Sequence, residues 1–258
     1  MNSGLVILAA AALAAPAGKP AATTSLTGNF PLIELRQYTL YDGERDTLIN
    51  LFEREFVESQ EAQGMKVIGT FRDLDRPNRF VWLRGFKDMD SRLSGLTAFY
   101  TGLLWLAHRD EANATIEDSD NVLLLHTLDR ADKFRLPGSR PSLGQRAPAG
   151  LIFATIEYLK GSAADAAPIF ETKVKPALKK RGIRPLASFV TESAANNFPR
   201  LPVREKEQVL VWFARFRNDA DRQSHQPAMD RASAALASLR AKPPEHLRLA
   251  PTARSELR

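Results

Sequence analysis

Alternating apolar and polar residues predict a β-strand near the start of each half of the chain. Residues 31–40 alternate in this way, and residues 150–159 repeat the pattern, which aligns Tyr38 with Tyr158. Successive side chains of a strand point to opposite faces, so an alternating run predicts a strand with one face in the core. The two runs therefore mark the beginning of two similar segments.

Each predicted strand is followed by an amphipathic helix and a glycine. Apolar residues recur at intervals of three and four, which places them on one face of a helix. They are Leu48, Leu51, Phe52 and Phe56 in the first half and Ile169, Phe170, Val174 and Leu178 in the second. Gly64 and Gly182 follow, and glycine readily ends a helix in a left-handed conformation. Each helix is therefore predicted to stop at its glycine.

The remaining segments also occur in the same order in both halves. Strands are predicted at 67–72, 81–87 and 121–128, with counterparts at 185–190, 211–217 and 245–249, and helices at 91–114 and 219–239. The order β-α-β-β-α-β, written twice, is that of the ferredoxin-like unit. Residues 196–205 lengthen the second copy and predict a longer hairpin loop there.

We predict an α+β protein in which two ferredoxin-like halves pack against each other. One such unit covers only one face of its sheet with helices, and an apolar sheet face left uncovered must be buried. Residues 30–129 are the first predicted half and residues 149–258 the second, joined by a linker at 130–148. The halves would close their sheets into a barrel-like core. Two separate tandem domains are the alternative.

The composition excludes several kinds of site. The 258 residues include no cysteine, which excludes disulfides, thiolate catalysis and cysteine-ligated metal centres. The four histidines lack metal-ligand spacing, so neither a metal nor a cofactor is predicted. The net charge of +6 includes one basic run, at 173–184, which is either a solvated helix face or an anion-binding surface. No aromatic pattern of nucleic-acid recognition accompanies it, so nucleic acid is not a predicted partner.

The first 24 residues differ from the rest of the chain. Residues 5–15 form an apolar run with the length of a signal-peptide core, too short to cross a bilayer, and small residues follow at 15–17. We interpret residues 1–24 as a signal peptide and predict a periplasmic or secreted protein. Because no Lys or Arg precedes the run, a disordered leader on a cytoplasmic protein is the alternative. No other stretch predicts a transmembrane segment.

Four segments of the first half carry a family resemblance. They are ELRQY at 34–38, FRDLD at 71–75, NRFVWLRGF at 78–86, and WLAHRDEAN at 105–113 followed by DSDNVLLL at 118–125. In this order and spacing they resemble a NIPSNAP domain over residues 31–128. The second half lacks the Trp-x-x-His-Arg-Asp cluster and resembles a diverged copy.

The NIPSNAP resemblance implies more about fold than about function. It implies a dimeric α+β barrel, here formed within one chain, and this superfamily also contains small monooxygenases and haem-degrading enzymes. Eukaryotic NIPSNAP proteins are linked to mitochondria and vesicle traffic, whereas bacterial members have no settled reaction.

Polar residues that could carry chemistry crowd together before the last strand of the first half. A helix here would place four residues on one side: Trp105, His108, Arg109 and Ala112. His108 is the best catalytic candidate, as a general acid or base or as a single metal or haem ligand. Arg109 could hold a carboxylate or phosphate. The structural alternative is that His108 and Asn113 tie the helix to the following loop.

A second candidate set lies at alternating positions of two predicted strands: Arg36, Tyr38, Trp82 and Arg84. If these side chains face a cavity between the sheets, they line an aromatic, cationic pocket for a planar anionic ligand. With the opposite orientation, Trp82 belongs to the core and the arginines lie on the surface. Both orientations are compatible with the pattern.

These observations predict a NIPSNAP-like protein without assigned catalysis that binds a small apolar or anionic ligand, or a protein partner. The two halves would pack together, and further self-association stays open. One alternative is a cofactor-free monooxygenase or haem-handling enzyme that uses His108 with Trp82 and Arg36 around a substrate. Another is an interaction scaffold. The enzyme requires a cavity between the sheets with His108 pointing into it, whereas the scaffold requires a filled interior and an exposed apolar patch.

Overall fold

The structure, a computed structural model, describes residues 23–129 and 133–258. Its strands are β1 (Thr23–Thr24), β2 (Leu32–Leu40), β3 (Lys66–Asp73), β4 (Arg79–Phe86), β5 (Ile116–Asp118), β6 (Val122–Thr127), β7 (Ser139–Arg140), β8 (Leu151–Tyr158), β9 (Ala187–Thr191), β10 (Val209–Phe216) and β11 (Glu245–Pro251). Its α-helices are α1 (Arg45–Leu51), α2 (Val57–Glu61), α3 (Met89–Thr101), α4 (Leu103–Asn113), α5 (Ala163–Ile169), α6 (Lys175–Lys179) and α7 (Asp219–Ser233). Single π-helical segments join α1 to α2 (Phe52–Phe56) and α5 to α6 (Phe170–Val174), and a 3-10 helix (Ala234–Leu239) extends α7.

Eight of these strands form a closed barrel in which neighbouring strands are antiparallel. Their order around it is β4-β3-β11-β8-β10-β9-β6-β2, and β2 pairs with β4 to complete the circle. Two seams, β3 with β11 and β6 with β9, join strands of the first half to strands of the second. The prediction of an α+β fold with a core shared by both halves is confirmed. The alternative of two separate tandem domains is wrong.

Apolar side chains fill the interior of the barrel. Inward-facing residues of both halves form one cluster that includes Leu35, Val81, Ile156, Phe189 and Phe213. Burial of such a cluster is the main favourable contribution to folding. The space between the sheets, where the enzyme hypothesis requires a cavity, is therefore occupied by the protein's own side chains.

Helices cover the outer face of the barrel in each half. Those of the first half pack through residues such as Phe52, and those of the second half through residues such as Phe170. The first helical segment of each half is followed by Gly64 and Gly182, whose φ angles of 78° and 80° lie in the left-handed region. Only glycine adopts this region without a steric penalty, so the predicted stops at both glycines are confirmed.

When the strands that carry Trp82 and Trp212 are superposed, the pairing of their neighbouring strands differs by one residue from the sequence alignment. Trp82 and Trp212 occupy equivalent positions on the helix-facing side of the barrel, and their strand partners make Glu157 the counterpart of Tyr38. Tyr158 instead belongs to the cluster inside the barrel. A shift of one residue moves a side chain to the other face of a strand. The alignment of Tyr38 with Tyr158 is therefore wrong.

The helix predicted at 91–114 is divided in two. It begins with a reciprocal cap, in which Asp88 accepts from the Ser91 backbone and the Ser91 hydroxyl accepts from the Asp88 backbone. Gly102 then adopts an extended conformation, with ψ 150°, and a new helix, α4, begins at Leu103. This break interrupts the helical periodicity, so the faces of α4 do not continue those of α3.

The segment predicted as a linker at 130–148 contributes to the fold where the structure describes it. Its strand β7 pairs with β1, and Arg140 is buried with its Nη2 atom 2.7 Å from Glu61 Oε1 and 2.9 Å from Glu256 Oε1. Residues 1–22 of the predicted signal peptide lie outside the described residues, and its last two residues, 23–24, form β1. Within the described part of the chain, no helix combines the length and apolar character needed to cross a membrane.

Candidate functional site

The candidate residues on β2 and β4 face the helices and not the barrel interior. Arg36 and Tyr38 lie on this face of β2, and Trp82 is paired with Arg36 across the strands. Of the two orientations compatible with the sequence, the structure has the one that places Trp82 in the core between sheet and helices. The arginines are nevertheless not on the surface, because Arg36 and Arg84 are fully buried. That part of the prediction is wrong.

Glu34 lies at the centre of a buried group of three arginines. Its Oε2 atom accepts from Arg84 Nη2 at 2.6 Å and from Arg36 Nη1 at 2.9 Å, and its Oε1 atom accepts from Arg92 Nε at 2.9 Å. All four side chains are 0% exposed. One carboxylate against three guanidinium groups leaves this group, which we call the arginine cluster, with a formal charge of +2.

The arginine cluster keeps Glu34 ionised. Burial by itself raises the pKa of the Glu34 carboxyl, but the charges of Arg84, Arg36 and Arg92 outweigh burial and lower this pKa well below its usual range. A carboxyl with a depressed folded-state pKa stabilises the fold above its unfolded-state pKa, and this contribution is lost as the pH falls through the folded-state pKa. At neutral pH Glu34 is therefore negatively charged beside the three positively charged arginines.

Trp82 lies within contact distance of two guanidinium groups of the cluster. The Cζ atoms of Arg36 and Arg84 are 5.6 and 5.0 Å from the Trp82 ring, within the range of cation–π contacts. Arg36 Nε also donates to the Tyr38 hydroxyl at 3.0 Å. Arg36 Nη2 and Trp82 Nε1 are buried without a hydrogen-bond partner among the described residues. Unsatisfied buried donors are uncommon, so this region can donate hydrogen bonds to a ligand or water that supplies an acceptor.

Tyr38 and Trp82 form part of the floor of a small chamber between the sheet and the helices. Its volume is about 110 Å³. The other lining residues are Leu48, Phe52, Phe56, Gln60, Phe99, Tyr100, Trp105, Ala112, Asn113, Ile116, Ser119 and Leu201. Phe52 and Phe56 lie on a π-helical segment, a geometry frequent at functional sites. Because an apolar cavity of roughly 150 Å³ holds benzene, this aromatic chamber matches at most a single small ring.

An open groove of about 580 Å³ adjoins the aromatic chamber. Four residues border both spaces: Tyr100, Trp105, Asn113 and Leu201. Arg109, Asp110 and Arg200 line the groove only, and Arg109 Nε lies 3.3 Å from Asp110 Oδ1, so Arg200 leaves this part of the groove with a formal charge of +1. Chamber and groove together exceed the roughly 300 Å³ at which small-molecule sites begin. A ligand with one ring in the chamber could therefore extend into the groove.

The second half of the chain supplies one wall of this site. Residues 196–205, which we call the crossing loop, leave the barrel between β9 and β10 and reach the helices of the first half. The ring of Phe198 stacks on Tyr100 with 5.9 Å between centroids. Arg92 Nη1 donates to Asn197 Oδ1 at 2.7 Å. The insertion, interpreted from sequence only as a longer hairpin, thus anchors to the arginine cluster and borders the groove.

Of the candidate residues predicted on α4, the structure places three in the lining of the site and one outside it. Trp105 and Asn113 border both chamber and groove, and Arg109 lines the groove. His108 lines neither, because its Nδ1 atom lies 3.3 Å from Glu111 Oε2 and its Nε2 atom 3.7 Å from Glu55 Oε2. The catalytic hypothesis for His108 requires the imidazole to point into a cavity, and it finds no support in this arrangement. The part of the chain that the structure describes also holds no group of three or more His, Asp or Glu residues that could bind a metal ion.

Glu34 and Arg92 are the main residues that the sequence analysis misses. Glu34 shares a strand face with Arg36 and Tyr38, so strand alternation was a usable signal for it. Arg92 offers no such signal, because its partners are Glu34 on β2 and Asn197 on the crossing loop. The cluster could therefore be found only in part from local patterns.

The family resemblance is confirmed for the first half of the chain. Residues 33–128 match the NIPSNAP family model. This range contains the arginine cluster and all the lining residues of the chamber except Leu201. No curated protein matches the chain.

Several solved structures share the overall arrangement. A candidate monooxygenase from Lactobacillus acidophilus aligns with a TM-score of 0.53 and 13% identity, over 88% of this chain and 97% of its own. A candidate monooxygenase from Fusobacterium nucleatum has a TM-score of 0.56 and 9% identity, over 88% and 94%. An anthrone oxidase-like protein has a TM-score of 0.53 and 11% identity, over 88% and 93%. At these identities the likeness shows the fold alone, that of the monooxygenase-like α+β barrels.

Proposed function

We propose that this protein, whose residues 33–128 match the NIPSNAP family, binds a small aromatic anion in the chamber of its first half. The observation that carries this proposal is the formal charge of +2 buried beside an aromatic chamber. The ring of the ligand would pack against Phe52 and Trp82. Its anionic oxygen would lie at Tyr38, and any further part of the ligand would occupy the groove.

Two features of the chamber favour an anion over a neutral ligand of the same shape. Charge–charge interactions are stronger inside a protein than in water, so the uncompensated guanidinium groups attract an anion strongly. The Tyr38 hydroxyl already accepts from Arg36 Nε, which leaves its own O–H free to donate to a ligand oxygen. Hydrogen bonds to charged groups contribute more than neutral ones.

Calorimetric titration with two matched probes would test this proposal. We expect 2-naphthoate to bind at least ten-fold more tightly than the neutral 2-naphthamide. Tyr38→Phe removes the proposed donor and should lower the affinity for 2-naphthoate by roughly ten-fold or more. Tyr41→Phe is the control, because Tyr41 lies on the same half and is 52% exposed, and it should leave this affinity unchanged. Ala112→Leu, which adds atoms to the chamber wall, should abolish binding. Equal affinity for both probes, or an unchanged affinity in Tyr38→Phe, would contradict the proposal.

Oxygenation of the bound ligand is the second candidate function. Positive charge beside the chamber would lower the pKa of a bound phenol and stabilise the aryloxide, the electron-rich form that can react with dioxygen. For anthrone, one O₂ converts the ring CH₂ to C=O and releases one water, so no further reductant is required. The likeness in fold to monooxygenase candidates and an anthrone oxidase-like protein agrees with this chemistry. Oxygen uptake with anthrone that is absent, or unchanged in Tyr38→Phe, would leave binding alone as the function.

The proposal does not use a haem group. Among the described residues that line the chamber there is no histidine, and His108 contacts Glu55 and Glu111 outside it.

A protein partner is a further candidate, because α4 exposes three leucines: Leu103 (86%), Leu104 (37%) and Leu106 (44%). Light scattering of the purified protein, with and without Leu103→Lys, would show whether this surface mediates self-association.

We also infer that the halves 30–129 and 149–258 are diverged copies of one ferredoxin-like unit. The strand order β6-β2-β4-β3 in the first half and β11-β8-β10-β9 in the second supports this, since each places the first strand between the fourth and the third.

We further propose that the protein is exported to the periplasm, because residues 5–15 form an apolar run with the length of a signal-peptide core. N-terminal sequencing of the protein from its own host would show whether the leader is removed.

A further inference from the structure

A second concave surface lies at one mouth of the barrel, beside the start of β9 and the end of β10. This cleft has a volume of about 690 Å³ and shares no lining residue with the aromatic chamber. Its floor includes Leu257, which belongs to the apolar cluster inside the barrel, and Phe134 and Leu186, which pack against that cluster. The cleft is therefore a place where the core of the barrel comes close to solvent.

The rim of this mouth cleft is strongly basic. Six of its lining residues are cationic and come from three separate parts of the chain: Lys133, Arg135, Lys175, Lys179, Arg184 and Arg215. Lys175 is paired with Glu171, and Asp129 is an acidic lining residue. Arg135, Lys179, Arg184 and Arg215 form no ion pair with any residue that the structure describes. Part of the basic run at 173–184 thus belongs to a concave surface and not to a flat helix face.

The combination of an apolar floor and a rim with four unpaired cations restricts the chemistry of an occupant. The like charges of the rim repel one another, so an anion at the rim would be bound favourably. An anion without an apolar part would leave the floor exposed to water, and an apolar molecule without charge would leave the rim unpaired. Nucleic acid would use the rim but has no need of a narrow apolar floor. The cleft volume lies within the range of small-molecule sites, roughly 300–1,000 Å³.

We propose that the mouth cleft binds a single-chain anionic amphiphile of the alkyl carboxylate class. The carboxylate lies on the rim near Lys179, Arg184 and Arg215. The first part of the alkyl chain covers Phe134 and Leu186. This site is independent of the proposed aromatic ligand, because the two sites are lined by different residues.

Calorimetric titration with decanoate, acetate and decyltrimethylammonium, each below its micelle concentration, tests both parts of the proposal. Acetate has the head group without the chain, and decyltrimethylammonium has the chain with the opposite charge. We expect decanoate to bind at least ten-fold more tightly than either of them. Its affinity should also fall as NaCl is raised, because salt screens the exposed rim charges. Equal binding of decanoate and acetate, or of decanoate and the cation, would overturn the proposal, as would no binding of decanoate.

Charge-reversed variants locate the binding. The double variant Lys179→Glu/Arg184→Glu should lower the affinity for decanoate by at least ten-fold. Lys180→Glu/Arg181→Glu changes the net charge equally at neighbouring residues outside the cleft lining, so it should weaken decanoate much less. Ala112→Leu, which blocks the aromatic chamber, should leave decanoate binding unchanged and so separates this site from the first. An equal loss in both double variants, with melting temperatures unchanged, would overturn the assignment of the cleft.

Discussion

Replacing Glu34 with glutamine is expected to lower the free energy of unfolding by about 3–5 kcal/mol, the usual cost of removing one partner from a buried ion pair. Glu34 is the carboxylate that Arg36, Arg84 and Arg92 share, and all four side chains are fully buried. Glutamine keeps the shape but not the charge, so three buried guanidinium groups would lose their counter-ion. Urea denaturation at pH 7 measures the effect.

The effect of Glu34→Gln should also depend on pH. The folded-state pKa of Glu34 is depressed, so its contribution is complete above the unfolded-state pKa of about 4.3 and declines as the pH falls below it. The difference in unfolding free energy between the two proteins should therefore shrink in acid. Glu171→Gln is a suitable control, because Glu171 pairs with Lys175 on a helix surface and should contribute less than about 1 kcal/mol. A loss in Glu34→Gln as small as in this control would show that the arginines do not depend on Glu34.

Replacing Arg140 with methionine is expected to destabilise the protein by a similar amount, about 3–5 kcal/mol. Arg140 is 1% exposed, and its guanidinium contacts Glu61, Glu256 and the carbonyl oxygen of Arg254. Without it, Lys66 would be the remaining cation beside the two carboxylates. The variant should also be cleaved faster by trypsin in the segment 133–148, because Arg140 holds this segment against the barrel.

The control for Arg140→Met lies in the same segment. Arg146 is exposed, so Arg146→Met removes an equal charge and should change the unfolding free energy by no more than about 0.5 kcal/mol. If the two variants have equal stability, the segment is a simple connection between the halves, as the sequence alone suggests. A clear difference would identify it as a structural part of the barrel.

The same segment illustrates how a correct local interpretation can miss a tertiary role. Its prolines and glycines identify a connection without regular structure, and this is what local patterns can report. The burial of Arg140 depends on Glu61 on α2 and on Glu256 near the C-terminus, 79 and 116 residues away. No local pattern contains that information.

The crossing loop is a comparable case. The sequence indicates an insertion at 196–205, because the spacing of the second half grows there. That the insertion borders the chamber of the other half follows only from contacts such as that between Asn197 and Arg92, which are 105 residues apart. Sequence analysis can identify extra length, whereas the surface that the extra length covers is a property of the closed barrel.

The sequence by itself determined the main strands and helices, their order and the ends of the first helix in each half, because these depend on local spacing of apolar residues and on glycine conformation. The confirmed stops at Gly64 and Gly182 are examples. The sequence did not reveal the break at Gly102 or the short strands β1, β5 and β7. Only the tertiary structure decided that Arg36 and Trp82 face the helices, and that His108 lies outside the chamber. The physical reason is that a strand offers two equivalent faces, and the packing of distant segments selects which of them is buried against which partner.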